Sequence, residues 1–473
     1  MRFSLRLVRT LLIVVGLAPH LAAAGGEPGR VKDEKPRGKL FCIVAPASFH
    51  GALKEYVEHK KKLLPTELVS LEKVLKASAG RDDPERLKRF LYDAWRKRGL
   101  GYVLLVGDVD VMPVRYMVLD RVTPAAFDYA FYPSDLYYAD LAKQDGSFDD
   151  WNARKDGFHA DYFGEVRGEK NKKDAINFDQ VDYRPEVAVG RWPVSTEAEV
   201  RLIAAKSMAY ENVIRAGTHP GLKQAAFFHV QGWVDARARL DRMAARLTDW
   251  KTEKRFFSDG NPKFKTDPPN QENLLATLNK GVGLVVHVGH GSEHSWEGCF
   301  ATASLKKVKN ADRLPVMFSV GCSTCYFAAL APYDGYVDIH GKEHKGVNNG
   351  EVFTAPPPAP APYQKGRHNP TGLGEQVLKR ENGAVAYIGC NTGSQPCALS
   401  LLEGFLIAAG KSGQPRVGDC WASAVSYYYD KEGLARLVPT DDWYPPSIFF
   451  QGMKFMLFGD PTLPLAAMTV AKK

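Results

Sequence analysis

GVGLVVHVGHGSEHSWEGCF, residues 281–300, and LPVMFSVGCSTCYF, residues 314–327, share one build. In each, an apolar run with β-branched residues (Val282 to Val288, and Val316 to Val320) reads as a short buried strand, and each run ends in small residues beside a reactive side chain. The first strand delivers His290-Gly291 and the second Gly321-Cys322. Parallel α/β sheets place their chemistry at strand ends, where loops are held by a rigid sheet yet stay open to solvent. A histidine and a cysteine delivered in this way suggest a thiol nucleophile and its base. Gly291 lets the chain turn sharply after the histidine and frees a backbone N–H to face a substrate oxygen, while Gly321 leaves room beside the sulfur.

Outward from this stretch, strands and helices alternate. Leu40 to Pro46 (LFCIVAP) and Tyr102 to Gly107 (YVLLVG) read as strands, with helical periodicity over Tyr56 to Leu75 and over Pro84 to Arg98. The latter opens with acids and closes with bases, in agreement with the helix dipole. Glu186 to Arg191 is a further strand, and Ser195 or Thr196 caps a helix running to Ala216. A boundary falls at residues 217/218. Beyond it, Ala225 to Val230 reads as a strand, Ala236 to Trp250 and Gln271 to Asn279 as helices, Gly383 to Gly389 as a strand, Leu401 to Ala409 as a helix and Met453 to Pro464 as the closing segment. The alternation predicts an α/β fold with a mainly parallel sheet flanked by helices, in two subdomains side by side, 40–217 and 218–466. Residues 331–370 form an insertion ending in TAPPPAPAPYQKGRHNP, whose proline density favours extended polyproline II over regular helix or sheet. A loop of this length is either functional or a disordered spacer.

Composition sets the outer limits. The chain has 473 residues, 45% of them hydrophobic and 25% charged, which is the make-up of a globular protein with a large core. The formal charge of +9 is interleaved with acids and accompanies no nucleic-acid motif, so no nucleic-acid partner is expected. Residues 1–24 carry Arg2, Arg6 and Arg9, an apolar run from Leu11 to Ala18, and Ala22-Ala23-Ala24 before Gly25, the pattern of a secretory signal peptide. That apolar run is too short to span a bilayer, and no later stretch is long enough, so export to a secreted or periplasmic location without a membrane span is expected. Residues 25–39 read as a flexible tether and 467–473 as a tail. Seven cysteines in an exported chain leave at least one thiol unpaired; if Cys322 is that thiol, up to three disulfides are open to the rest.

The region around His290 and Cys322 resembles the gingipain-type cysteine peptidases, a family of the caspase clan. Its histidine segment, His-Gly-Ser-Glu-x-x-Trp, stands here as His290, Gly291, Ser292, Glu293, His294, Ser295 and Trp296. LLVGDVDVMPVR (104–115), SDLYYAD (134–140), PEVAVGRWPVST (185–196), GLGEQVL (372–378), GAVAYIG (383–389) and LFGDPTLPL (457–465) are similar to the family's blocks, in the family's order. The resemblance implies a caspase-like fold and a secreted cysteine endopeptidase acting on protein or peptide substrates. His290 would be its base, Cys322 its nucleophile, and the backbone N–H groups of Gly291 and Cys322 its oxyanion donors. It also implies that histidine and cysteine need not pair before substrate binds.

Departures from the family pattern mark the open points. Gln231 stands where the family has a glutamate supporting the histidine; an amide can orient an imidazole but cannot stabilise its charge. Glu293 is a second candidate support. The family's arginine-specific members carry an acid in their specificity pocket, and LDRMA offers both Asp241 and Arg242, so preference for basic residues does not carry over. No cofactor is required for the chemistry. The family binds calcium, and Asp135, Asp140 and Asp145 are candidate ligands, although their spacing is not that of an EF-hand and equally suits a solvated acidic loop. His287, His290 and His294 with Cys322 and Cys325 raise a zinc alternative, but the histidine spacing suits a helix and a strand would scatter the rings. Two further readings stay open: a catalytically silent binding or adhesion protein, and a transpeptidase using the same dyad.

Overall fold

Along the strand Leu40–Ala45, Phe41 and Ile43 enter one apolar core while Cys42 and Val44 enter another. The same division recurs in Leu100–Val106, where Tyr102 and Leu104 face one side and Val103 and Leu105 the other. Side chains alternate across a strand, so a near-continuous apolar run is what a strand covered on both faces requires. The computed structural model describes residues 39–123, 127–155, 157–367, 372–411 and 415–466. The signal peptide at 1–24, nearly all of the tether and the 467–473 tail lie outside the described residues.

The described residues fall in one compact unit built on a ten-stranded sheet. Its order is Thr66–Ser70, Leu40–Ala45, Leu100–Val106, Ala188–Trp192, Phe455–Phe458, Ala386–Cys390, Val316–Ser319, Leu284–Val288, Gln224–His229 and Lys251–Phe256. Strands from residues 40–192 make up one side of this single sheet and strands from residues 224–458 the other. Pairing is parallel throughout, except that Phe455–Phe458 runs antiparallel to Ala386–Cys390. The sheet therefore consists of two parallel blocks pointing in opposite directions, whose strand ends open on opposite edges.

Local chemistry fixes the flanking helices. Asp83–Arg98 starts at Asp82, whose carboxylate accepts from Glu85 N, and stops at Gly99 with φ of 72°. Glu197–Arg215 begins with a reciprocal capping box between Thr196 and Glu199. Each such cap contributes about 0.5–2 kcal/mol.

Two sequence expectations are corrected, and the alternatives left open for the insertion are narrowed. The helical reading of 56–75 covers two helices, His50–Lys61 and Leu71–Ala77, separated by the edge strand Thr66–Ser70, which follows the helix-breaking Pro65. The helix expected over 236–250 stops at Ala244, and Lys251–Phe256 forms the other edge strand. The described part of the insertion is packed rather than a loose spacer. It holds a small hairpin, Tyr336–Val337 with Glu343–His344, tied by His344 between Glu351 (2.8 Å) and Asp338 (3.0 Å). Its proline run lies on the first half, where Val114 N donates to Pro362 O (3.1 Å), Gln364 N to Val109 O (3.0 Å) and Tyr162 OH to Pro357 O (3.0 Å).

Candidate active site

The strands Leu284–Val288 and Val316–Ser319 are parallel neighbours, paired from Leu284↔Val316 to His287↔Ser319. Their carboxyl ends therefore lie side by side, and the turns that follow meet. Gly291 packs directly against the second turn: a Cβ at this position would lie 2.7 Å from Thr324 Cγ2 and 3.0 Å from Cys322 O, so only glycine fits. After Cys322 the chain turns through Ser323 at φ of 54°, and Ser323 N is held by Thr392 O (2.8 Å) and Cys325 N by Cys390 O (2.9 Å).

Both reactive side chains are half-buried and line one cleft. Cys322 Sγ accepts from Ser394 N at 3.3 Å and lies 3.7 Å from Ser394 O, while His290 stands edge-on to Trp233 with ring centroids 6.4 Å apart. Glu297 N donates to His290 O (3.1 Å), which makes these two a hydrogen-bonded pair of the hairpin Gly291–Ser292/Ser295–Trp296. By the alternation of an antiparallel ladder, Gly291 next to them turns its N–H away from the partner strand. Cys322 N has no acceptor among the described residues.

Beneath the cleft is a dry support. His287 is fully buried, stacked flat on Trp296 at 4.7 Å, with Nδ1 2.8 Å from Ser319 Oγ. Burial, with His229 nearby, holds its pKa well below the ordinary histidine value, so it is a neutral packing group. Trp296 Nε1 in turn donates to Tyr387 OH (2.9 Å). All seven cysteines are free thiols, and Cys322 alone of them is not buried. Burial pushes the Cys325 thiol well above its usual range, which leaves it inert beside an accessible Cys322.

The remaining predicted residues are placed as follows. Gln231 is exposed and shares a groove on the far side of His290 with Glu297, a carboxylate missed in the sequence because the hairpin, not proximity in the chain, brings it there. Glu293 is engaged by His294 Nε2 at 2.9 Å on the surface. The three calcium candidates do not form a site together. Asp135 is clamped by Arg191 (2.7 and 2.8 Å), Asp140 is buried with its carboxyl pushed well up by burial, and Asp145 accepts from Ser147 N and Oγ in a surface turn. Among the described residues no group of three or more His, Cys, Asp or Glu side chains is close enough to hold a metal ion, so neither the calcium nor the zinc set is assembled.

The sequence model of peptidase family C25 matches residues 34–466, a span that takes in all of the described residues. The chain belongs to this family. Among its relatives are gingipain R1 of Porphyromonas gingivalis, 24% identical over 307 residues (63% of this chain, 25% of the relative), and gingipain R2 of the same organism, 24% identical over 299 residues (61% and 33%). The chain therefore spans no more than about a third of the length of these curated C25 relatives. Among solved structures, the Arg specific cysteine proteinase gingipain R has the same fold (TM-score 0.57, 18% identity, 92% of this chain and 79% of that one), as does the complex of Porphyromonas gingivalis RgpB pro- and mature domains (TM-score 0.57, 16% identity, 90% and 80%). Two further features of this C25 cleft, Trp233 and the Ser394 backbone, carry no motif that a single sequence could reveal.

Proposed function

We propose that this chain is an endopeptidase that cleaves peptide bonds through a Cys322–His290 dyad and an acyl-enzyme. The observation that carries the reading is the convergence of the two strand-end turns, which sets an accessible thiol and an imidazole in one cleft with free backbone donors beside them. His290 takes the thiol proton as Cys322 Sγ attacks the scissile carbonyl, forming the S–C bond. The N–H groups of Gly291 and Cys322 receive the oxyanion, the leaving amine takes the proton from His290, and water then hydrolyses the thioester. Ser394 N, already donating to Sγ, stabilises the thiolate that precedes attack. The segment at residues 1–24 supports export as the route by which the enzyme reaches extracellular protein substrates. Among the described residues no helix is long and apolar enough to cross a membrane.

The test is a pair of variants. Cys322→Ala should abolish peptidase activity and covalent labelling by peptide acyloxymethyl ketones, whereas Cys325→Ala should keep a substantial part of both. The opposite pattern would reassign the nucleophile. Mass spectrometry of products formed with and without added amine distinguishes hydrolysis from transfer to an amine acceptor.

A further inference from the structure

We infer that the cleft beside Cys322 is an apolar, uncharged specificity pocket and that the enzyme cuts after an apolar residue rather than a basic one. The inference rests on the dyad proposed above. A carbonyl poised between Cys322 Sγ and the Gly291 N–H places the side chain on its acyl side in the cleft that both His290 and Cys322 line. The walls of that cleft are Trp233, Val234, Val288, Val320, Pro396 and Leu399, and its other lining groups are glycines and the uncharged Ser394 and Gln395.

Three observations agree on the character of this space. Trp233 and Val234 are 69% and 38% exposed, an unusual position for two adjacent large apolar side chains unless a ligand covers them. The carboxylates on the neighbouring loop and helix are engaged elsewhere: Asp235 holds Arg237 at 2.6 Å and Asp241 holds Lys254 at 2.6 Å, and neither lines the cleft. The charge behind the Ser394 wall is that of a lysine. Lys454 Nζ donates to Gly393 O at 2.7 Å, and Cys322 is among the groups it interacts with electrostatically. A guanidinium or ammonium entering the cleft would lose its hydration without gaining a counter-ion, whereas an apolar side chain gains by leaving water. A preference for apolar residues sets the chain apart from its relative described as Arg specific.

The experiment measures labelling rates of the purified full chain by acyloxymethyl ketone peptides that differ only at P1 (Leu, Phe, Arg, Lys, Asp), with Cys322→Ala as control. Labelling of Cys322 by the Leu or Phe reagent should exceed that by the Arg and Lys reagents at least about tenfold, the scale of discrimination that one side chain produces in a pocket. Equal rates, or a charged reagent reacting fastest at Cys322, would overturn the pocket inference while leaving the nucleophile standing. If no reagent labels the wild type, or Cys322→Ala labels as fast, the dyad itself fails and the pocket inference falls with it. The near-isosteric Gln395→Glu, which places a carboxylate in the cleft, should shift the Arg-to-Leu rate ratio toward Arg at least about fivefold. An unchanged ratio in the folded variant would mean that the P1 side chain does not enter this cleft.

Discussion

The two parallel blocks of the sheet end alike and are finished differently. In the first block the strands Leu100–Val106 and Ala188–Trp192 also present ionisable residues at their carboxyl ends, Asp108 and Arg191, and both are fully buried. Arg191 is clamped on Asp135 and donates to Gly107 O at 2.9 Å, while Asp108 lies 3.6 Å from Lys379, which also binds Glu375 at 2.6 Å. The loop that follows, Val109 to Val114, is covered by the insertion downstream of Cys322 through Gln364 and Pro362. In the second block His290 and Cys322, beyond the ends of Leu284–Val288 and Val316–Ser319, stand only half-buried and line a cleft. Topology offers both edges as sites; coverage and neutralisation occupy the first, and the proposed dyad stands at the second. The insertion, read from sequence as either functional or a spacer, lies over the first edge.

This contrast can be broken at several points. His290→Ala should lower kcat/KM by at least about a hundredfold, the lower scale of general-base loss, with the variant still folded. Retention of full activity would leave the open edge without its base.

At the closed edge, the prediction concerns stability. Burial works against the Lys379 ammonium, but Glu375 and Asp108 raise its pKa overall, so it stays charged among carboxylates. Lys379→Met should therefore destabilise the fold by about 3–5 kcal/mol in denaturant titration, because it strands buried carboxylates. A change below about 1 kcal/mol would mean that the cluster is wet and the edge less sealed than its burial indicates.

The smallest effect is expected beside His290. Gln231→Glu adds a carboxylate to the groove that already holds Glu297. A nearby negative charge favours a protonated imidazole, so the acidic limb of the pH–rate profile should move upward by a fraction of a unit. An unchanged profile would leave Gln231 as a strand-end residue only.

What sequence revealed follows from the same physics. The eight inner strands include every strand read from the sequence, because burial on both faces writes a continuous apolar run. Thr66–Ser70 and Lys251–Phe256, the two edges of this sheet, were missed because TELVS and KTEKRF carry little apolar signal where one side meets solvent, and so were Arg115–Thr123, Phe127–Ser134 and Phe163–Val166, which pair in a separate three-stranded sheet. At the site, His290, Gly291, Gly321 and Cys322 were legible as strand-end punctuation. Trp233 and Ser394 in the cleft, and Glu297 in the groove beyond His290, were not, since each is brought there by a loop or turn whose course only tertiary structure sets. Asp135 shows the converse: an acid read as a candidate metal ligand is held by Arg191, a partner that lies in a different block of sequence.

The wall opposite the thiol has a consequence for when the enzyme becomes competent. Ser394 is held in place by its neighbours, with Gly393 O bound by Lys454, Gln395 N bound to Gln451 Oε1 at 3.0 Å and Asn391 N bound to Lys454 O at 2.8 Å. Those braces belong to the segment that enters the strand Phe455–Phe458, far downstream of Cys322. A chain emerging from the ribosome thus carries Cys322 for a long stretch of synthesis before the groups that brace the wall beside it exist. On the proposed dyad, the order of translation would postpone proteolytic competence until Gln451 and Lys454 have been made.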